Sequence, residues 1–448
     1  MDPEFSFRLS YEAIAVILFA SMALLMLTGQ RVFGAIGFVG AVAAVLIWGT
    51  GGKEMAFNAT IIVMKWYPMV TLPLFVYMGY ILSESGIAGD LYKMFHVWLG
   101  GVKGGLALGT VVLMVAISAM NGLSVAGMAV GASIAMPEML RRGYDKRMVS
   151  GVIQAGSSLG IMMPPSVVMI LYGMIARQPI NDLWLAGIGP AFMFAVLIAL
   201  YVLIRCRIQP ELGPVLPKEE RMLPRGEKLR LLFSGLIPLA IIFSVTGCFI
   251  LGITSLVESS AAGALVSTVA AALKRRLSWK VMQVALIQTL SVSCMFMWIL
   301  MAALCFSAVF DGLGAVHAVE NLFLREWGMG PWGVLILMQV SFLLMGMILD
   351  DTAMLVIVAP LYIPLVRSMG FDLVWYGVLY TVTCQVAYMT PPFGYNLFLM
   401  KALAPKSVTL SDIYHSIVPF VGIMLLGLVL ILAFPDIAMW IPHHFLDR

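Results

Sequence analysis

Two proline pairs, Pro164-Pro165 and Pro391-Pro392, stand inside apolar runs long enough to enter a bilayer. Proline removes a backbone donor and clashes with the preceding turn, so each pair predicts a helix broken at membrane depth, with freed carbonyls at the break. The first break offers Ser157, Ser158 and the carbonyls around Gly160 to Pro164; the second offers Thr390, Asn396 and the backbone from Ala387 to Pro392. Two other long apolar stretches are interrupted near their centres. One interruption carries Ser118, Asn121 and Ser124 in "SAMNGLS", the other Gly346, Asp350, Asp351 and Thr352 in "MGMILDDT". Hard oxygen donors of this kind suit Na⁺ and argue against a thiophilic metal. The N-terminus of a half-helix suits an anion.

A carboxylate at membrane depth is costly and points to function. Asp350-Asp351 could equally cap the second arm of a hairpin or lie at a water-filled tip, and the sequence leaves these open. Neighbouring residues of a helix point about 100° apart, so the two carboxylates are poorly placed to share a proton, and an intramembrane aspartyl enzyme is disfavoured. The five cysteines lack metal-ligand spacing and read as packing residues. Glu258 and Lys65 read as structural charges that pair or snorkel.

The elements that must hold these residues follow from composition. The chain is 61% hydrophobic and 11% charged, with a mean hydropathy of +1.00, so it is an all-α polytopic membrane protein. A formal charge of +4, spread over short loops, gives no sign of nucleic-acid binding. With roughly 20 apolar residues per span, about ten crossings are expected. They are 10–28, 32–48, 57–82, 186–204, 232–250, 255–273, 281–309 and 416–434, with broken helices at 147–177 and 374–402. The stretches 104–139 and 331–366 are too long for one crossing and read as re-entrant hairpins. Basic loops at 141–147, 205–230 and 274–280 all fall on the cytoplasmic side when the N-terminus is outside.

An offset of 227 residues superposes the two halves. It pairs Pro137 with Pro364, Gly143 with Gly370, Asp145 with Asp372, Pro164 with Pro391 and Pro165 with Pro392. Each half then has an odd number of crossings plus one hairpin, which turns the second copy upside down: the inverted-repeat plan of secondary transporters.

At these residues the sequence resembles the large membrane subunit of the tripartite ATP-independent periplasmic (TRAP) transporters, the DctM-like family. The resemblance rests on "PEMLRRGYDKRMVSGVIQAGSSLGIMMPPSVVMILYG" (137–173), "GITSLVESSAAGA" (252–264), "GMILDDTAMLVIVAPLYIPL" (346–365) and "MTPPFGYNLF" (389–398). It implies a sodium-coupled importer of the elevator type in the bacterial inner membrane. A mobile domain (104–177 and 331–402) would move against a scaffold (1–103, 178–330 and 403–448). It also implies three partners besides the lipid bilayer: a small membrane subunit, a periplasmic substrate-binding protein and a small organic anion as cargo. One Na⁺ site maps to Ser118, Asn121 and the carbonyls of Gly160, Met163 and Pro164; the other maps to Gly346, Ala387 and Thr390. Substrate is expected between them near Ser124, Ser157, Asp350 and Pro391, with Ser158, Pro165, Asp351, Thr352 and Asn396 lining the same space. The first tip departs from the family's serine-rich pattern at Asn121, whose amide oxygen can still coordinate sodium. No organic cofactor is implied. A stand-alone sodium/carboxylate symporter of related architecture is the alternative. Carboxylates, sugar acids, oxo acids and sulfonates all remain open as cargo.

Overall fold

The computed structural model describes residues 10–48, 51–122, 124–217, 224–347, 349, 351–391 and 394–445. The side chains of 27, 88, 118–121, 125–126, 225, 324, 351–353, 356 and 360 fall outside that description. Among the described residues every regular element is helical.

The chain opens with two apolar helices, α1 (Tyr11–Leu27) and α2 (Val32–Leu46). The crossing expected at 57–82 is not one straight helix. α3 (Gly52–Lys65) and α4 (Thr71–Glu84) meet at a 65° bend, where Pro68 has no amide to donate back and a 3₁₀ turn, Tyr67–Val70, carries the chain round. A short amphipathic helix follows, α5 (Ile87–Leu99), which the crossing count does not anticipate. It buries Leu91, Tyr92 and Met94 and exposes Lys93 and Trp98, as an interfacial helix would.

The first hairpin consists of α6 (Gly105–Asn121), α7 (Ser124–Val130), a π turn (Gly131–Ala135) and α8 (Met136–Arg141). The Leu106 amide donates to the Tyr144 hydroxyl at 3.3 Å, and Thr110 Oγ1 lies 3.4 Å from Met139 Sδ. The arms are therefore antiparallel, and the segment enters and leaves at one level. The first broken helix is α9 (Lys146–Leu159) with α10 (Val167–Ala176). Long helices follow: α11 (Ile180–Ile208), α12 (Arg225–Ile250), α13 (Leu256–Leu273) and α14 (Trp279–Gly312). Next comes a second short helix, α15 (Ala315–Glu320), continued by a π turn (Asn321–Glu326).

The second hairpin is α16 (Pro331–Gly346) and α17 (Asp351–Ser368). Its arms are tied by Ser341 Oγ and Tyr362 Oη at 2.6 Å and by the edge-on rings of Phe342 and Tyr362. The second broken helix is α18 (Leu373–Tyr388) with α19 (Tyr395–Leu403), and α20 (Leu410–Ala433) and α21 (Asp436–Phe445) complete the chain.

α11 to α14 and α20 are each long and apolar enough to span a bilayer, and the bent α3–α4 pair passes together. In the most apolar stretches of those five helices only 28% to 44% of residues are buried, whereas α18 is buried throughout and α9 from Met148 onward. The broken helices thus form the centre, and the long helices expose their apolar faces outward. Lone prolines do not break the fold: Pro190, Pro238 and Pro419 lie inside continuous helices. The two breaks of the repeat occur where two prolines adjoin, and lone Pro68 lies at the α3–α4 bend. The broken helices also start alike. Asp145 accepts from the Arg147 and Met148 amides, and Asp372, 227 positions on, accepts from those of Val374 and Trp375.

Contacts gather the basic loops at one end of the molecule. Lys146 Nζ donates to the Ser407 carbonyl at 2.7 Å, the Asp145 amide reaches the Leu212 carbonyl, and the Gly104 amide that of Gly213. At the same end Asp90, on α5, is held by Lys274 at 2.8 Å and by both terminal nitrogens of Arg276 at 3.0 Å. Glu258 does not pair with Lys65: it forms a capping box with Ser255 at the start of α13.

Burial by itself would raise the Asp90 carboxyl, but the hydrogen bonds and charges of Lys274 and Arg276 outweigh it and hold it below the ordinary value. A depressed folded-state value means that the clamp stabilises the fold above the ordinary aspartate range and loses that effect as pH falls through the depressed value. Asp90→Asn is expected to cost about 2 kcal/mol at neutral pH, read as a lower thermal midpoint of the purified protein. The gap from wild type should close as pH drops below about 3.9; an equal gap at all pH values would remove the clamp.

Candidate cation and substrate site

The first break is built from main-chain atoms. Ser157 Oγ donates to the Gln154 carbonyl at 3.0 Å and Ser158 Oγ to that of Ala155 at 2.9 Å, so both hydroxyls spend their protons on α9 and keep only lone pairs to offer. The amides of Gly160, Ile161 and Met162 fold back onto the carbonyls of Ser157, Ser158 and Leu159. Ser166 then starts α10, accepting from the Met169 amide at 3.2 Å and donating to the Ile161 carbonyl, while its own carbonyl accepts from Trp184 Nε1. Among the described residues no hydrogen bond reaches the carbonyls of Gly160, Met163 or Pro164. These are the groups that lipid cannot satisfy and an alkali cation can.

The first hairpin tip lies on this break. Gly122 adopts φ +66°, and a Cβ there would fall 2.8 Å from the Pro165 carbonyl oxygen and 3.0 Å from the Val167 nitrogen. Only glycine allows that backbone approach. Ser118 and Asn121 are placed by their backbone at the end of α6, but their side chains lie outside the described residues.

The second half repeats the arrangement with different atoms. Thr390 Oγ1 donates to the Val386 carbonyl at 2.6 Å, and the Thr390 amide to that of Ala387 at 3.1 Å. The carbonyls of Tyr388 and Thr390 converge on Gly394, where a Cβ would lie 2.5 Å and 2.8 Å from their oxygens. Gly346 ends α16 against Ala387, its imagined Cβ 2.5 Å from the real one. Asp350 lies outside the described residues, as do the side chains of Asp351 and Thr352; the Asp351 backbone opens α17. The breaks differ in access. Pro164, Pro165 and Ser166 are buried and Met163 nearly so, whereas Thr390 is half-buried and Pro391 exposed.

The two halves touch at the expected substrate residues. Asn396 Nδ2, on α19, donates to Ser124 Oγ, at the start of α7, at 3.3 Å, with both side chains buried. α19 packs on α7 and α9, and reciprocally α10 packs on α17 and α18. The latter seam is aromatic: Tyr172 donates to the Leu373 carbonyl at 2.7 Å and stacks on Tyr380, which meets Phe342 edge-on. Ser157, Ser158 and Thr390 make no side-chain contact with one another; each hydroxyl is bonded within its own helix.

Sequence reasoning missed Ser166, Trp184 and two glutamines. Gln385 is fully buried with neither amide atom partnered, and Gln154 has an unpartnered Oε1. The one glutamine in each of α9 and α18 was the available signal. Among the described residues no three His, Cys, Asp or Glu side chains gather as a metal site.

The close approach of tip and break can be tested by volume. Gly346→Ala should force α16 from Ala387 and lower stability by about 1–3 kcal/mol, whereas Gly422→Ala, with nothing within 4 Å of its Cβ, should be neutral or slightly stabilising. Thermal unfolding of both variants reads the contrast, and equal midpoints would refute the tight contact.

The family described as "Tripartite ATP-independent periplasmic transporter, DctM component" matches residues 19–437. The C4-dicarboxylate TRAP transporter large permease protein DctM of Pseudomonas aeruginosa is 25% identical over 84% of this chain and 86% of its own length. The ectoine TRAP transporter large permease protein TeaC of Halomonas elongata is 27% identical over 88% of this chain and 90% of its own. Among solved structures, the YdaH transporter of Alcanivorax borkumensis superposes with a TM-score of 0.66 at 14% identity, covering 95% of this chain and 98% of that one. That likeness is one of fold.

Proposed function

The chain belongs to the DctM component family of tripartite ATP-independent periplasmic transporters, and from that premise we propose that it is a sodium-coupled permease importing a small organic anion across the bacterial inner membrane. It is a transporter subunit and not an enzyme. In this reading a periplasmic binding protein delivers the cargo and a small membrane subunit completes the scaffold. About ten crossings and two hairpins form an inverted repeat. The mobile part, 104–177 and 331–402, carries the site across as an elevator.

The observation that carries the reading is the seating of each hairpin tip on the break of its own half, Gly122 on Pro165 and Gly346 on Ala387, beside carbonyls of the first break that no amide among the described residues satisfies. One Na⁺ would be held by Ser118, Asn121 and the carbonyls of Gly160, Met163 and Pro164. The other would be held by Gly346, Ala387 and Thr390. Substrate would lie between them, against Ser124 and Asn396, with Ser157, Ser158, Pro165, Asp350, Asp351, Thr352 and Pro391 around it. The relatives' names give different cargoes, C4-dicarboxylate and ectoine, so the substrate is set by the few side chains here and by what the binding protein holds.

Energy suffices for such coupling. A charge crossing ~100 mV contributes about 2.3 kcal/mol and each tenfold ion gradient about 1.4. Two sodium ions with a monoanion thus supply about 5 kcal/mol, an accumulation of roughly a few thousandfold by the same constants. A dianion cancels the electrical part.

The chain reconstituted in liposomes with its small subunit and binding protein should take up substrate in Na⁺ and not in choline. Thr390→Ala should raise the half-saturating sodium concentration about tenfold, a loss of roughly 1.4 kcal/mol, at normal expression. Uptake indifferent to sodium would overturn the coupling, and uptake by the chain alone would favour the stand-alone symporter.

A further inference from the structure

At the basic end of the molecule, outside the transport site, α5, the start of α12 and the loop between α13 and α14 enclose a cavity of about 400 Å³. Four cations line it, Lys93, Arg230, Lys274 and Arg276, against two carboxylates, Asp90 and Glu227. The surplus is two positive charges. Asp90 occupies Lys274 and Arg276. Among the described residues Lys93 and Arg230 make no ion pair or hydrogen bond, and Glu227 none by its side chain, so two free cations from different helices face one space. The Ser234 carbonyl also receives Lys274 Nζ at 3.3 Å, which fixes that side chain at the wall.

A second observation identifies the kind of anion. One helical row along from Arg230 and Ser234, α12 presents Leu229, Phe233, Leu236 and Ile237 outward, with Phe233 64% exposed. This apolar strip begins at the cavity and runs along α12 away from it. Positive charge at the mouth of a cleft and an apolar strip leading from it match a molecule with a negative head and an alkyl tail. A soluble phosphate would use the cations and leave the strip without a role. A zwitterionic lipid would use the strip and leave the surplus charge unanswered.

We infer that this cavity binds the phosphate headgroup of an anionic phospholipid, with Lys93 and Arg230 as its charged contacts and the α12 strip as the bed of an acyl chain. The inference requires a membrane-embedded chain, and it is independent of sodium coupling and of cargo. The bound lipid joins α5, which leads into the first hairpin through Gly100–Gly104, to helices α12 to α14.

Native mass spectrometry of the delipidated full-length protein tests this, titrated separately with dioleoyl phosphatidylglycerol, dioleoyl phosphatidylcholine and inorganic phosphate. Phosphatidylglycerol should be retained at least fivefold more than phosphatidylcholine. Lys93→Gln with Arg230→Gln should abolish the preference, Lys93→Arg should keep it, and Arg207→Gln with Lys406→Gln, elsewhere on the basic end, should leave it unchanged. Equal retention of the two lipids would overturn the inference. So would an equal loss in the control pair, which means diffuse surface charge, or displacement of phosphatidylglycerol by inorganic phosphate at submillimolar concentration, which means a soluble-anion site. If the double glutamine variant does not stay monodisperse, Arg230→Gln alone should at least halve the preference, and an unchanged preference counts against the site.

Discussion

The fold rests on the rule that a peptide group removed from water must find a partner. Most helices here meet it by their own ladder, and in the long helices even a lone proline such as Pro190, Pro238 or Pro419 is absorbed without a break. At Pro164-Pro165 and Pro391-Pro392 the ladder fails, and the rest of the chain is arranged around those two failures. Three of the four half-helices, α9, α10 and α18, are buried almost throughout, each break has a hairpin tip pressed against it, and each second half-helix packs on the opposite half's hairpin. A lipid-facing position for either break would leave several acceptors without partners, at a cost of a few kcal/mol each.

Proximity of tip and break demands small residues. Gly122 gives up a side chain so that backbones can meet, Gly346 so that α16 can close on the Ala387 methyl, and Gly394 lets the Tyr388 and Thr390 carbonyls converge. The two breaks are related by position and not by access. The first is closed by Ser166, Trp184 and buried prolines; the second leaves Pro391 exposed. Among the described residues the side-chain to side-chain hydrogen bond from Asn396 to Ser124 lies where substrate is expected. A ligand entering from the second break would have to replace that hydrogen bond, which makes it the natural reporter of occupancy.

Much of this was legible in the sequence because it depends on local rules. Proline pairs mark the breaks, the hairpin tips show as polar interruptions, and Asp145 and Asp372 announce two helix starts at matching places. What was illegible depends on distant partners. The α3–α4 bend was hidden because both sides are apolar and Pro68 is a single residue, of a kind that other helices tolerate. α5 and α15 were hidden because they are too short to count as crossings and carry charged or titratable residues among the apolar ones. The hold of Lys274 and Arg276 on Asp90 spans more than 180 positions, and Glu258 reads equally as an intramembrane charge until its capping box with Ser255 is seen.

On the proposed reading, a site made of main-chain oxygens would also account for why cargo is harder to read than coupling. A carbonyl ligand is the same atom whatever side chain follows it, so proteins sharing about a quarter of their residues can keep one cation geometry provided the break and the glycines persist. Cargo recognition has no such protection. It falls to side chains that project into the space between the halves, and among the described residues Ser124 and Asn396 are the pair that the fold brings together there. A small change in those two positions alters what fits without disturbing the breaks. If the proposed ion site is on the backbone and the substrate site on side chains, relatives with different named cargoes are the expected result.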